Sequence, residues 1–136
     1  MTRVAAATFA LAIAASLSGC HKYVDTQRVS EIESPDRQNV ITVDLIQYGN
    51  SFGPLLYRVR IGPRTEHANG AGWQDLIEID DTGSTPPPAI RWTGNSAVIM
   101  LPVKPGALSE AVQRGLKAGP AADHFRNVHI TYRSAE

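Results

Sequence analysis

Few residues in this 136-residue chain have side chains suited to chemistry: one cysteine, four histidines, a set of arginines and an aspartate followed by Thr-Gly-Ser. Cys20 has no partner thiol, so no disulfide can form within the chain and its sulfur is left as a nucleophile. His124 and His129 are five apart, which on one strand sends their side chains to opposite faces. No carboxylate stands near them, or near His21 and His67, at the spacing of a His-Glu-x-x-His zinc helix, so neither metal nor cofactor is expected. Asp123-His124 beside a serine would resemble two-thirds of a triad, but no Gly-x-Ser-x-Gly elbow accompanies it. The candidate interaction residues are Arg58, Arg60, Arg64 and His67, whose cations suit an anionic ligand such as a phospholipid headgroup or peptidoglycan. Pairing with Glu78 and Asp80 on a neighbouring strand is the competing use for two of those arginines.

Asp81-Thr82-Gly83-Ser84 resembles the Asp-Thr-Gly loop of aspartic proteases, in which two aspartates share one proton because close carboxylates do not both ionise. With one copy, that resemblance implies a homodimeric hydrolase using Asp81. The sequence departs from the pattern. Asp80 precedes the motif where an apolar residue is usual, and no apolar-apolar-Gly segment follows. A polar turn closing a strand accounts for the same four residues. The expectation is that the chain is not an enzyme.

The leader is more informative. Met1-Thr2-Arg3 is basic, and the uncharged run from Val4 to Leu17 is about 14 residues, shorter than the roughly 20 of a membrane-spanning helix. Small residues follow, giving the three-part form of a secretory signal peptide. Leu17-Ser18-Gly19-Cys20 then resembles the lipobox of bacterial prolipoproteins. The resemblance implies a diacylglycerol thioether on Cys20, cleavage before it and acylation of the new amine. One acyl chain anchors marginally and two or three durably. His21 in place of aspartate implies sorting to the outer membrane, with the protein on its periplasmic face. A secreted protein with a free thiol is the alternative.

Removing residues 1–19 leaves 117 residues with 12 Lys/Arg against 13 Asp/Glu, a formal charge of −1. This neutral balance argues against nucleic acid, which demands a basic face. The length suits one domain with a modest core. The expected organisation is a cleaved signal peptide over 1–19, a lipidated tether over 20–28 and a single β-rich domain over 29–136.

Period-two segments fill that domain. A weak strand, "VSEIES", ends at the turn Ser34-Pro35-Asp36-Arg37. Strands over Val40–Tyr48, Leu55–Ile61 and Trp73–Asp80 follow, then three prolines at 86–88 that cannot donate to a ladder. If Leu55–Ile61 and 76–80 pair with positions summing to 138, Val59 faces Ile79, Ile61 faces Ile77, Arg58 faces Asp80 and Arg60 faces Glu78. Residues 89–103 predict a hairpin about Gly94-Asn95, with Trp92 opposite Ala97 and Ile90 opposite Ile99. Val98 and Met100 make the other face of that hairpin apolar too, which asks for a covering helix. Leu108, Ala111, Val112, Gly115 and Leu116 supply its apolar stripe. The last strand is Arg126–Arg133. The predicted class is α+β, mainly β: an antiparallel sheet of five to six strands with one amphipathic helix over about 107–118.

"SPDRQNV" is similar to the Ser-Pro-Asp-Gly turns of propeller blades in envelope proteins, but the domain is too short for a propeller. The function expected is a lipid-anchored accessory module that binds a protein partner or plays a structural part in the envelope. An inhibitor or immunity-type lipoprotein is the alternative. Contacts are expected in the loops 49–54, 62–72 and 82–88.

Overall fold

The computed structural model describes residues 24–49, 54–67, 70–81 and 85–136. The signal peptide, Cys20, His21 and the first part of the tether lie outside the described residues, as do Thr82, Gly83 and Ser84. The class is α+β, mainly β, as the alternation requires. Strands β1 (Val24–Glu33), β2 (Asn39–Tyr48), β3 (Leu55–Pro63) and β4 (Gln74–Asp81) form one antiparallel sheet in the order β1-β2-β3-β4. Strands β5 (Ala89–Thr93), β6 (Ser96–Leu101), β7 (His124–Phe125) and β8 (Val128–Ser134) form a second, in the order β5-β6-β8-β7. β6 and β8 run parallel, so a crossover must join them. It contains the short helix α1 (Leu108–Gln113), entered through a 3-10 turn at Pro105–Ala107.

The two sheets face each other over one core. Val43, Val59 and Ile77 from the first meet Ile99, Leu101 and Ile130 from the second. This division into two sheets of four differs from the single sheet of five to six strands. Each half of the chain alternates, so each makes a sheet with one apolar face, and stacking buries both faces without a large helix. The indole Nε1 of Trp92 donates to the Ile32 carbonyl at 3.3 Å and holds β5 against β1. The Tyr132 hydroxyl, at 2.6 Å from the Ala122 carbonyl and 3.2 Å from that of Leu76, ties β8 to β4.

Three expectations need correction. β3 and β4 pair antiparallel, but two residues away from the expected register: Val59 faces Ile77, Tyr57 faces Ile79 and Arg58 faces Glu78. A slip of two keeps every side chain on its own face, so alternation alone does not distinguish the registers. A bulge then shifts the ladder, Arg60 faces Asp75, and the neighbours Leu76 and Ile77 are both fully buried. Residues 24–28, expected in the tether, are the first half of β1, paired with β2 from Val24–Tyr48 onward. The helix stops at Gln113 rather than near 118. Gly115 is packed so closely on Ala121 that an added Cβ would lie 2.7 Å from the Ala121 Cβ, and the chain folds back there.

That fold-back covers an edge. The Glu78 amide donates to the Gly115 carbonyl and the Ala122 amide donates to Leu76 at 2.9 Å, which satisfies groups on the outer side of β4. The hairpin β5–β6 pairs as the sequence predicts, Trp92 opposite Ala97 and Ile90 opposite Ile99, with Gly94 at φ +56. α1 does not cover its second apolar face. Leu108, Ala111 and Val112 pack on the core, while Val98 and Met100 face outward, half-buried.

Candidate functional site

The arginines singled out by sequence lie on the outer face of the first sheet, and each has an acidic partner. The Arg58 guanidinium is 2.8 Å from Glu78 and donates to the Tyr48 hydroxyl at 2.7 Å. Burial alone would lower the Arg58 pKa, but the hydrogen bond to Glu78 and the neighbouring Tyr48 outweigh it and the net shift is upward. Arg60 pairs with Asp75 at 2.7 Å and lies under the Trp73 ring, 5.8 Å from its centroid. Trp73 itself is pressed onto the backbone of Gly62, where any Cβ would collide with the indole. Arg64 reaches Glu33 at 3.0 Å. His67 is exposed in the loop beyond β3 and joins none of these pairs. The sequence therefore placed Arg58 and Arg60 on one face correctly, with Glu78 and Asp75 as partners instead of Asp80 and Glu78.

Arg28, outside the expected set, extends the pattern by pairing with Asp44 and with Glu31. These side chains lie down on the sheet. Their stems explain why Val40, Thr42, Asp44 and Ile46 on β2 are buried although they point away from the core. Thr42 is fully buried there with a hydroxyl that has no partner. The outer face of the first sheet is thus a lattice of neutralised charge.

Asp81 ends β4, and its carboxylate lies against the Tyr57 hydroxyl. Burial first, then the Asp81 charge, pushes the Tyr57 pKa upward. The same hydroxyl donates to the Thr85 carbonyl at 3.2 Å, so Tyr57 fastens both ends of the loop after β4. Asp123 accepts a 2.7 Å bond from His124, which lowers its pKa, and both side chains are exposed. Among the described residues no group of three or more His, Cys, Asp or Glu could hold a metal ion. No helix among them is long and apolar enough to cross a membrane.

One feature was invisible in the sequence. Between the end of β4 and α1 lies an open groove of about 400 Å³. Leu56, Ile79, Val103 and Ala111 floor it, and Asp80, Arg114 and Lys117 stand among its polar lining. Its residues come from four separate stretches, so no spacing rule joins them. Comparison with known protein families, with curated proteins and with solved structures finds no match to this chain.

Proposed function

We propose that this protein is a lipid-anchored component of a bacterial envelope, on the periplasmic face of the outer membrane, that binds a protein partner. The observation that carries the reading is Leu17-Ser18-Gly19-Cys20 at the end of a basic-then-apolar leader. The thiol accepts the lipid, and the small residues before it admit the peptidase. The apolar-floored groove beside α1, with charges of both signs around it, supports a peptide-like contact rather than a small neutral ligand.

The experiment is metabolic labelling with palmitate, followed by fractionation. Label should enter the parent chain and be lost in Cys20→Ser, which should also leave the membrane fraction. A photocrosslinking residue at Ala107 or Ala111, in envelopes with the anchor intact, should then yield one reproducible adduct. Unlabelled parent protein, or a Cys20→Ser variant that fractionates unchanged, overturns the anchor. Absence of a reproducible adduct overturns the partner.

A further inference from the structure

Charge is unevenly divided between the two sheets. Residues 85–136 carry six Lys/Arg against three Asp/Glu, whereas residues 1–84 carry seven against ten. Two of those six cations, Arg91 and Arg133, stand on the outer face of the second sheet. Pairing fixes its layout: Arg91, Val98 and Thr131 stand side by side across β5, β6 and β8, and in the next row Met100 lies beside Arg133. No outward position of these three strands is Asp or Glu. Arg91 and Arg133 are exposed, and neither has an ion-pair partner among the described residues. They flank the half-buried Val98 and Met100 from strands two spacings, about 10 Å, apart. This is the opposite of the first sheet, where Arg28, Arg58, Arg60 and Arg64 are all neutralised.

We propose that this face lies flat on anionic lipid headgroups. The idea rests on the Cys20 anchor proposed above, and chain geometry favours it. Four residue steps separate Cys20 from Val24, a reach of about 14 Å. The two sheets pack face to face, and stacked sheets are about 10 Å apart, so the depth of the second sheet below Val24 is comparable with that reach. Standing the module on its end would bring Asp25, Asp80 and Asp81, at the end where β1 begins, to the phosphates, with Lys117 over the Tyr48 ring offsetting one of these three charges. The side-on pose instead places two unpaired guanidinium groups at the headgroups and two apolar side chains between them. Each arginine near such a surface contributes about a fivefold gain, and the gain is screened by salt.

The test uses the full lipidated protein on phosphatidylethanolamine vesicles with and without phosphatidylglycerol. In the anchored chain the Cys20 sulfur is consumed, so Thr131→Cys supplies the one thiol for a fluorescent label on the second sheet. Glu31→Cys supplies it on the first. On anionic vesicles the Thr131 label should be shielded from acrylamide and the Glu31 label exposed. Added salt, or Arg91→Gln with Arg133→Gln, should lower the docked-to-undocked ratio about 25-fold. The salt titration needs no variant beyond the label and stands if the double variant fails to fold.

Equal quenching of the two labels on anionic vesicles overturns the proposal while flotation with neutral vesicles leaves the anchor standing. Salt-sensitive binding to anionic vesicles alone, with a free Cys20 thiol, overturns the anchor and supports the face. Shielding of the Thr131 label in whole envelopes but not on vesicles means that a protein covers the face, and overturns the lipid reading.

Discussion

At the scale of single residues the turn between β1 and β2 shows how closely side-chain chemistry and backbone strain are balanced. Ser34-Pro35-Asp36-Arg37 closes with the Arg37 amide on the Ser34 carbonyl at 2.9 Å. Asp36 accepts from the Ser34 hydroxyl at 2.5 Å and from the Gln38 amide at 3.0 Å, and these bonds, the hydroxyl first, lower its pKa. Arg37 then adopts φ +59, a left-handed conformation that costs a residue with a Cβ about 1 kcal/mol relative to glycine. Among the described residues its side chain makes no bond that offsets this. Arg37→Gly should therefore raise stability by about 1 kcal/mol, read as a rise of about 4 °C in thermal midpoint. An unchanged or lower midpoint would mean that glycine's extra freedom in the unfolded chain outweighs the relief. The turn itself was legible, because Pro-Asp states its geometry locally. The partners of Arg60 were not, because Asp75 faces it only through a bulge that no local residue type announces.

At the scale of elements, alternation told which side chains share a face but not how far strands slide. The hairpin about Gly94-Asn95 was legible to the residue, since a two-residue turn with glycine first fixes register by itself. β3 and β4 are joined by a loop of ten residues, which leaves slide to packing, and the two-residue error followed. The helix was overextended for a related reason. Leu116 continues the apolar stripe, but it is spent on a bridge to Gly119, outside α1. What ends the helix is the contact of Gly115 with Ala121, a tertiary fact. Gly115→Ala should force that contact apart, loosening the carbonyl that caps the Glu78 amide on the edge of β4. A loss of about 1–3 kcal/mol is expected, measured by urea unfolding, with faster amide exchange at Glu78 and Ala122. Unchanged exchange there would show that the connection does not depend on this close approach.

At the scale of the whole molecule, the question is whether two four-stranded sheets behave as one unit. They share a single core and are stitched at both margins, by Trp92 to β1 and by Tyr132 to β4. Neither sheet can bury its apolar face alone, so unfolding should be one cooperative transition in which aromatic and backbone signals coincide. Tyr132 gives that claim a titratable handle. Burial, with the nearby Asp123 charge second, raises its pKa above the ordinary 10.0, because partial burial weakens the solvation of the ionised phenol, which has no hydrogen to give the Leu76 and Ala122 carbonyls. A raised folded pKa means stability that is complete below the unfolded value and is lost as pH climbs toward the folded one. Tyr132→Phe removes the one hydroxyl hydrogen that these two carbonyls share and should cost about 1–2 kcal/mol at about pH 8. Above about pH 10 the parent loses its advantage and the two proteins converge, the variant keeping the alkaline dependence that Tyr57 contributes. If near- and far-ultraviolet transitions separated in the variant, the hydroxyl would be the joint between two independently stable sheets. Coincident transitions at a lower midpoint would place the coupling in the shared apolar core, where Val59, Ile77, Ile99 and Ile130 meet.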